Sequence, residues 1–560
     1  MPGEHAQQQG PTRREILAAG GASALSLGTG LGMSGRPKAV TGVVFEDRSG
    51  EGLRRPGDRG ISDVMVSNGR DVVLSDADGR WQLPVAEGDS VFVIKPPHWS
   101  TPMDGALPRF SYLHQPRGTP GEGFRYPVLA PTQPLPQSID FPLRQQREPA
   151  QFEALLLADS QPQNGAELVF LRDDILANTI DCQAAFAINH GDVVFDDLSL
   201  YPRYLEMVGA TGIPWHHCPG NHDINQEARE DRYSRETWKR VFGPRHYAFQ
   251  YGGATFILLD NVYYFGHNPG NANSGEYCGL IGDEQLQFVR NVLAHVPDEG
   301  LVVLSMHIPL ATYQDLGNPT DNTADRSALL ALLRDRRYTV SFSGHMHLTE
   351  HHYLLSHQGA TQPHHHHVLT AASGGWWGGL RDRRGIPFAD SADGNTNGYH
   401  VLSVDGQRYT TRFVPAPGKA AGTLRAEVVG CRDRKPLPTE QAAIPAVALG
   451  HCAIFVNVFD GGPRTKVTCA IGGRHPVQLE LERMSATDPF ITDLFKRTAA
   501  EQKSWVRPVR SSHLWTAPLW PELAPGAHRV SVRVTDEYGR RHSAHMMLEV
   551  SGPRAASRET

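Results

Sequence analysis

The chain has 560 residues, too many for one compact hydrophobic core, so about three domains are expected. A net charge of −6 and 20% charged residues are ordinary for a soluble globular protein and give no nucleic-acid-binding or anionic-membrane signature. No run of residues approaches the roughly 18 apolar residues of a membrane-spanning helix, so no transmembrane span is expected in the mature protein.

Residues 1–38 are predicted to be an export signal and linker. Arg13 and Arg14 precede a weakly apolar stretch, residues 16–33, that is rich in Ala, Gly, Ser and Leu. This order resembles a twin-arginine export signal, which a receptor reads as an address. The sequence therefore predicts an exported protein, periplasmic or extracellular. The alternative is a disordered tail that happens to contain two arginines.

Residues 39–145 are predicted to form an N-terminal β-sandwich and a connection. Short apolar runs alternate with turn residues, and Asn68-Gly69 has the composition of a tight hairpin turn. The pattern resembles small carboxypeptidase-regulatory or transthyretin-like sandwiches. Residues 96–137 are rich in Pro, Gly and aromatic residues, which predicts a long irregular connection.

Between residues 150 and 412, buried apolar runs alternate with helical patterns, which is typical of a layered α/β domain. The run Phe152–Ala158 ends at Asp159, and the run Ala184–Asn189 comes shortly before Asp192. Open α/β sheets place their sites beyond the carboxyl ends of their strands. Polar residues at these strand ends are therefore candidate site residues.

After about Gly398 the chain returns to short apolar runs separated by Gly, Pro and Asp, for example Leu424–Val429 and Ala453–Phe459. This pattern predicts a C-terminal β-sandwich over residues 418–553. Cys452 and Cys469 lie on neighbouring predicted strands, where an oxidising compartment would allow a disulfide. Buried free thiols are the alternative that the low cysteine content favours.

Five short motifs in the middle segment place residues of metal-binding type directly after predicted strands. They are Asp159-Ser160-Gln161, Gly191-Asp192, Gly220-Asn221-His222-Asp223, Met306-His307 and Gly344-His345-Met346-His347. Asp carboxylates can bridge hard cations, neutral His suits borderline transition metals, and an Asn carbonyl can complete a coordination shell. In this order the motifs resemble the calcineurin-like metallophosphoesterase superfamily over residues 152–350.

The resemblance implies a fold class and an activity. The fold would be α/β, a layered β-sandwich core with flanking helices, flanked in turn by two small all-β sandwich domains. A bacterial group of the superfamily has this three-part arrangement, and Asn457–Gly461 and Asp488–Phe490 resemble its C-terminal domain. The activity would be that of a metal-dependent phosphoric ester hydrolase. Its substrate would be a phosphoester, with a diester slightly favoured over a monoester, and its oligomeric state stays open.

The resemblance also implies roles for individual residues. Two divalent metal ions (Mn, Fe, Mg or Zn) would hold a bridging hydroxide that attacks phosphorus in line. The first metal would be bound by Asp159, Gln161, Asp192 and His347, and the second by Asp192, Asn221, His307 and His345. His222 would stand over the substrate as general acid or charge-stabilising donor, and Asp223 would orient its ring.

Gln161 departs from the family pattern, since the first motif usually ends in His. An amide oxygen is a weaker and harder ligand than imidazole, which leaves the metal identity and the occupancy of the first site open. The alternative function is a non-catalytic secreted binding protein with a vestigial metal centre.

Two further features have competing interpretations. His364–His367 is either a metal clamp or a solvated loop, and the loop is favoured because neighbouring side chains on an extended chain point to opposite sides. The same holds for His351 and His352. Trp376-Trp377, enclosed by glycines, is either a substrate-facing aromatic wall or interdomain packing.

Overall fold

The computed structural model describes residues 37–552, except 122, 181, 356–361, 418–421, 431–442, 473–476 and 520–521. The predicted export signal, with Arg13 and Arg14, lies outside the described residues. Among the described helices, none combines the length and the apolar character that a membrane crossing requires.

The N-terminal part consists of short strands in two four-stranded sheets and a small hairpin. The strands are β1 Lys38–Glu46, β2 Met65–Ser67, β3 Val72–Leu74, β4 Arg80–Val85, β5 Ser90–Val93, β6 Trp99–Ser100, β7 Met103–Asp104, β8 Leu107–Pro108, β9 Ser111–Leu113 and β10 Phe141–Gln145. The sheet orders are β4-β1-β10-β6 and β3-β2-β5-β9, with β7 paired to β8. Asn68-Gly69 forms the predicted hairpin turn between β2 and β3, with a positive φ of 92° at Gly69.

The prediction that residues 96–137 form a wholly irregular connection is wrong in part. Strand β9 pairs with β5 and so extends an N-terminal sheet, and β6 pairs with β10. These strands have only two or three residues. A strand of that length is too short to show the apolar and polar alternation by which strands are predicted.

The central part contains thirteen of the described strands. They are β11 Gln151–Leu157, β12 Phe186–Asn189, β13 Trp215–His217, β14 Tyr247–Tyr251, β15 Ala254–Leu258, β16 Val262–Tyr264, β17 Tyr277–Gly279, β18 Val302–Ser305, β19 Thr339–Ser343, β20 Glu350–Leu354, β21 His364–Val368, β22 Gly398–Asp405 and β23 Arg408–Pro415. One sheet has the order β13-β12-β11-β22-β23 and the other β14-β15-β18-β19-β21-β20. Phe186 on β12 and Phe256 on β15 contact each other between the sheets, with ring centroids 5.1 Å apart.

Helices cover the outer faces of these two sheets. The α-helices of the central part are α1 Gly165–Asp174, α2 Tyr201–Gly209, α3 Glu236–Phe242, α4 Gly282–Leu293 and α5 Arg326–Leu333, with 3₁₀ turns at Leu176–Thr179, Leu198–Leu200 and Asp231–Tyr233. Leu168 of α1 and Tyr204 of α2 share a buried cluster with Leu155 of β11. Phe288 of α4 and Leu329 of α5 belong to the core of the other sheet. The predicted layered α/β fold is confirmed.

The run His364–His367 is strand β21, and the prediction of a solvated loop is wrong. All four histidines are buried, as are His351 and His352 on the paired strand β20. The reason is local polar pairing. The His364 ring nitrogens contact the hydroxyls of Thr339 and Ser341 on β19, both at 2.8 Å, so the buried imidazole keeps its hydrogen bonds.

The C-terminal part forms two further sheets. Its strands are β24 Leu424–Gly430, β25 Ala443–Pro445, β26 Cys452–Val458, β27 Lys466–Ile471, β28 Val477–Glu480, β29 Glu482–Thr487, β30 Arg510–Pro518, β31 Gly526–Thr535 and β32 Arg541–Ser551, with helix α6 Pro489–Arg497 and a 3₁₀ helix Ala446–His451. The sheet orders are β24-β26-β30-β29 and β25-β32-β31-β27-β28. Cys452 and Cys469 are both buried, and Cys469 is a free thiol, so the considered disulfide between them is not formed.

Candidate metal centre

The seven predicted metal-binding residues meet at one edge of the two central sheets. Each follows the carboxyl end of a strand: Asp159 and Gln161 after β11, Asp192 after β12, Asn221 after β13, His307 after β18, and His345 and His347 after β19. Strands β11, β12 and β13 run parallel to one another, as do β18 and β19. The strand ends of each sheet therefore point to the same edge, where open α/β sheets place their sites.

The His307 ring has the orientation of a metal ligand. Its Nδ1 lies 2.8 Å from the backbone oxygen of His190, to which it donates a hydrogen bond. In the neutral ring Nε2 then carries a lone pair, which faces Asn221 Oδ1 at 2.9 Å, Asp192 Oδ1 at 3.3 Å and His345 Nδ1 at 3.2 Å. Electron-rich atoms this close need a proton or a cation among them. A backbone carbonyl that fixes the tautomer in this way is typical of metal-binding histidines.

His347 and Gln161 each leave one buried polar atom without a partner. His347 Nδ1 bonds the Gly374 carbonyl at 2.7 Å, whereas its Nε2 has no hydrogen bond and lies 3.7 Å from Asp159 Oδ1. The Gln161 amide donates through Nε2 to Asp192, and its buried Oε1 has no partner. Leaving such atoms unpaired is costly in a protein interior. Both orphaned atoms belong to predicted ligands of the first metal, so the residues fit a cation there.

The charge balance of the site also fits cations. Asp159 and Asp192 are both buried, and in the described part of the chain neither has a Lys or Arg in ion-pair distance. Burial raises the pKa of Asp159 to about 8, and the charge of Asp192 adds to this rise. Two neighbouring carboxylates in a low-dielectric site are stable as anions only when positive charge is supplied.

Backbone strain is concentrated at these residues. Five of the seven have a positive φ, namely Asp159 at 50°, Gln161 at 37°, Asp192 at 51°, His345 at 74° and His347 at 52°. Each such residue costs ~1–3 kcal/mol, and clusters of them are found at functional sites. At two positions of the motifs only glycine fits, because a side chain would collide with a carboxylate of the site. A Cβ at Gly220 would lie 2.1 Å from Asp192 Oδ1, and one at Gly344 would lie 2.4 Å from Asp159 Oδ2.

His222 stands beside the centre and is held by Asp196. Its Nδ1 lies 2.8 Å from Asp196 Oδ1, and its ring stacks on Phe195 with centroids 4.3 Å apart. Its backbone N–H donates to Asp192 Oδ1 at 2.9 Å. Burial opposes protonation of this ring, but the carboxylates of Asp192 and Asp196 outweigh it and raise the pKa of His222 to about 9. With Nδ1 facing the Asp196 carboxylate, the ring is placed to carry a proton on Nε2.

The predicted contact between Asp223 and the His222 ring is wrong. The buried Asp223 carboxylate accepts hydrogen bonds from the backbone N–H groups of Gly220 at 2.9 Å and Val193 at 3.1 Å. It also accepts one from the Tyr201 hydroxyl at 3.0 Å. Asp223 therefore fixes two loops that carry metal-centre residues. The orienting carboxylate, Asp196, was missed because no sequence motif marks it.

Three aromatic side chains border His222 and His347, and we call them the aromatic shelf: Phe195, Trp376 and Trp505. Trp376 stacks on His347 at 3.7 Å, and Trp505 stacks on Phe195 at 5.9 Å and is 49% exposed. Trp377 is instead buried and donates to the Ser160 carbonyl at 2.9 Å. Trp376 also packs with Ile491 and Phe495 of the C-terminal part, as the interdomain interpretation expects, and a substrate-facing aromatic wall stays a prediction.

The shelf combines residues of two domains. Trp505 lies in the segment after α6, in the C-terminal part of the chain. Lys503 anchors this segment, because its Nζ lies 2.8 Å from Glu167 Oε1 and 2.9 Å from Gln163 Oε1 near the start of α1. The C-terminal part therefore completes one wall beside the metal centre.

Gln161→Ala is expected to weaken the first metal alone by about 10-fold or more, since even outer-shell changes cost that much. Asp159, Asp192 and His347 remain for that metal, and the second keeps its own ligands. Gln161→His should raise the affinity of the first site and shift its preference toward zinc, because imidazole is the softer donor. Metal titration of the three proteins, followed by calorimetry, measures both effects. If Gln161→Ala binds both metals like the parent, Gln161 is not a ligand.

Comparison with known proteins gives three family matches along the chain. Residues 49–125 match the N terminal of calcineurin-like phosphoesterase, residues 155–348 match calcineurin-like phosphoesterase, and residues 366–542 match the C terminal of calcineurin-like phosphoesterase. No curated protein matches the chain. Among solved structures, a purple acid phosphatase from yellow lupin (Lupinus luteus) seeds is similar over 69% of this chain and 68% of its own, with 10% identity and a TM-score of 0.34.

Proposed function

Since the chain belongs to the calcineurin-like phosphoesterase family and is a phosphoesterase hydrolase, we propose that it prefers phosphodiesters to phosphomonoesters. The observation that carries this proposal is the pair of His222 and Asp196 beside the metal-binding residues. Both ester types can release a poor alkoxide, but near neutral pH a diester has no P–OH proton of its own to give to it, so the diester gains most from a proton donor of the protein. A non-catalytic binding protein with a vestigial metal centre would not need a proton donor at this position.

In this proposal Asp159, Gln161, Asp192, Asn221, His307, His345 and His347 hold two divalent cations. When bound, the cations stabilise charge on the phosphoryl group and activate water as the nucleophile. His222 donates a proton from its ring to the leaving oxygen. Asp196, bonded to Nδ1, leaves Nε2 as the donating atom and stabilises the charged ring. The oxygen-rich first site favours manganese, iron or magnesium over zinc.

The aromatic shelf supports a leaving group with a flat apolar face. The rings of His222, Phe195 and Trp505 form one stack. The interplanar angle is 21° between His222 and Phe195 and 23° between Phe195 and Trp505. A planar or ring-shaped group lying against Trp505 would therefore place its ester oxygen near the proton donor. Such stacking stabilises aromatic contacts beyond the area they bury.

The diester preference is tested with the metal-loaded chain and two alkyl substrates that release the same alcohol, a dialkyl phosphate and the corresponding alkyl phosphate. Bis(p-nitrophenyl) phosphate is added as a sensitive test for any turnover. We expect kcat/KM to be higher for the diester, with each of several divalent metals in turn. A higher value for the monoester would reject the diester preference and keep the hydrolase. A complete absence of turnover with every metal would favour the binding protein with a vestigial centre.

Trp505→Ala is expected to raise KM for bis(p-nitrophenyl) phosphate by about 2- to 12-fold, because an aromatic contact contributes ~0.5–1.5 kcal/mol. KM for a methyl phosphodiester, which has no ring to stack, should stay near the parent value. Trp505→Phe should restore most of the aryl preference. Met547→Ala, at an exposed position of β32, serves as the control for a lost surface side chain. Equal effects of Trp505→Ala on both substrates would contradict a stacking role.

We also propose that the protein is exported through a twin-arginine signal. The support is sequence alone, namely Arg13 and Arg14 ahead of the weakly apolar stretch. Replacing both arginines by lysine keeps the charge but should retain the precursor inside the cell, because the receptor reads the arginine pair. Immunoblotting of cell and export fractions measures this. Unchanged export of the double variant would mean that the segment is not such a signal.

A further inference from the structure

A second group of histidines lies between the central and C-terminal parts, and we call it the interdomain histidine cluster: His351 on β20, His367 on β21, His400 on β22 and Asp460 just after β26. All three Nε2 atoms approach one oxygen, Asp460 Oδ1. His367 lies at 2.9 Å, and His351 and His400 each lie at 3.2 Å. The ligand atoms of His351, His367 and Asp460 all lie within 4.8 Å of one another. None of these residues belongs to the metal centre described above.

Among the described residues, the His367 ring differs from the rings of its neighbours on β21 in having no hydrogen-bond partner. His364 and His366 contact hydroxyls of β19, and His365 contacts Tyr409 and His351. Both ring nitrogens of His367 are buried and lack a hydrogen-bond partner, although Nε2 is close to Asp460. His367 Nε2 therefore lies close to Asp460 Oδ1, but an N–H on this nitrogen would not point at the carboxylate oxygen. Ligands that share an ion have this relation, since each points at the ion and not at its neighbour.

Two successive hydrogen bonds orient the His351 ring through its Nδ1, the nitrogen remote from Asp460. His351 Nδ1 lies 2.9 Å from His365 Nε2, and His365 Nδ1 lies 2.7 Å from the Tyr409 hydroxyl. If each imidazole donates through Nδ1, the lone pair of His351 Nε2 faces Asp460. Partners of this kind on the remote nitrogen orient metal-binding histidines and raise their basicity.

The buried charge of Asp460 lacks a permanent positive partner. Its side chain is 8% exposed, and all of its ion pairs within the described residues are with histidines. Before an ion binds, the contacts of His351 and His400 Nε2 with Oδ1 can carry protons that binding of the ion would displace. These contacts leave His367 unpaired, and a buried carboxylate without compensation is costly. Asp460 also has a positive φ of 71°, so its backbone is strained to bring it to the histidines.

We propose that His351, His367 and Asp460, joined by His400, bind one divalent transition metal ion of the zinc class. Imidazole nitrogens and carboxylate oxygens are both donors that zinc accepts, and four of them complete a tetrahedral site. Ligands of a tetrahedral zinc ion lie about 3.3 Å apart at bond lengths of ~2.0 Å, close to the observed 2.9–3.2 Å to Asp460. The His351 and His367 rings stack at 3.9 Å, so binding would tilt them toward a common point.

The ion would join two domains, because the three histidines belong to the central sheets and Asp460 belongs to the C-terminal part. It would therefore fasten the C-terminal part, with Trp505, against the catalytic part. This role is structural and does not require turnover. The metal content of the chain and its thermal stability report on it, whatever the substrate proves to be.

The test counts zinc in a protein whose catalytic centre is disabled. The full chain carrying Asp192→Asn is stripped with a chelator, reloaded with zinc, desalted and subjected to elemental analysis. We expect about one equivalent of zinc, which His367→Gln or Asp460→Asn on the same background removes. His364→Gln is the matched control, since His364 lies on the same strand, is also buried, and its ring contacts the hydroxyls of Thr339 and Ser341 outside the interdomain histidine cluster. It should keep the zinc.

A second measurement distinguishes the loss of a zinc ligand from poor folding of a variant. Asp460→Asn is nearly isosteric, and circular dichroism shows whether it keeps the parent secondary structure. Cobalt loaded in place of zinc should give the intense visible absorption of tetrahedral Co²⁺ in the Asp192→Asn chain and not in its Asp460→Asn derivative. In chains with unaltered Asp192, His367→Gln should lower the melting temperature and leave kcat unchanged. Zinc-free Asp192→Asn protein, or equal zinc with and without His367, would overturn the proposal.

Discussion

Asp192→Asn is expected to remove most of both metals and to lower kcat about 10³-fold or more, well beyond the ~10- to 100-fold that outer-shell changes cost. Asp192 is the predicted bridging carboxylate, and its side chain contacts predicted ligands of both sites. Its Oδ2 accepts from Gln161, and its Oδ1 lies 3.3 Å from His307 Nε2 and accepts from the His222 N–H at 2.9 Å. An amide in its place would direct N–H at one of these donors and would lose the charge that holds cations.

Elemental analysis of the reloaded variant measures its metal content, and initial rates measure its kcat. Asp393→Asn is the matched control, because Asp393 is also a buried carboxylate that accepts a backbone N–H, from Thr349 at 2.9 Å, and contacts a histidine, His513 at 2.8 Å. It lies outside the metal centre and should keep both metals. Near-normal metal content in Asp192→Asn would contradict the bridging role.

His222→Ala is expected to lower kcat by about 10²–10⁴-fold for a diester with an alkoxide leaving group, the usual contribution of a general acid. The loss should be much smaller for p-nitrophenolate, which leaves without a proton. The physical basis is the ring position, with Nδ1 held by Asp196 at 2.8 Å and the metal-binding Asp192 bonded to the backbone of the same residue. Metal content should stay near the parent value, because His222 is not a predicted ligand.

A plot of log kcat against the pKa of the leaving group separates proton donation from binding. The parent slope should be shallow and the His222→Ala slope steep. Asp196→Asn should lie between them, since the ring remains but loses its charged partner. Asp197→Asn is the neighbouring control, because Asp197 caps the 3₁₀ turn at Leu198–Leu200 and does not touch His222. Parallel slopes for the parent and His222→Ala would reject the general-acid role.

The metal centre was predictable because its residues depend on local sequence. Asp159, Asp192 and His307 each come directly after an apolar strand, and parallel strands bring their carboxyl ends to one edge. The order of such residues along the chain therefore predicts that their side chains lie close together at that edge. Motif glycines such as Gly220 and Gly344 are part of the same signal, because they allow the close approach to the carboxylates.

Contacts between distant segments were not predictable in this way. Asp196 takes the place expected for Asp223, because the loop after β12 folds back over His222 and no short-range pattern marks that path. Trp505 lies far along the chain from Phe195, which it stacks on. The buried strand His364–His367 has the composition of a solvated segment, and hydrogen bonds with the hydroxyls of β19 and of Tyr409 make its burial favourable.

The position of Trp505 has an evolutionary consequence. The predicted metal-binding residues come from the strand ends of the central sheets, whereas the exposed ring beside them comes from the segment after α6, anchored by Lys503. With Trp505 in the proposed contact with the leaving group, mutations in that segment would change which leaving groups are accepted and would preserve every predicted metal-binding residue. Gene duplication followed by drift in this one segment would thus generate enzymes with new substrates and an inherited catalytic apparatus. Sequence differences around residue 505 are where divergence among relatives of this architecture should first become visible.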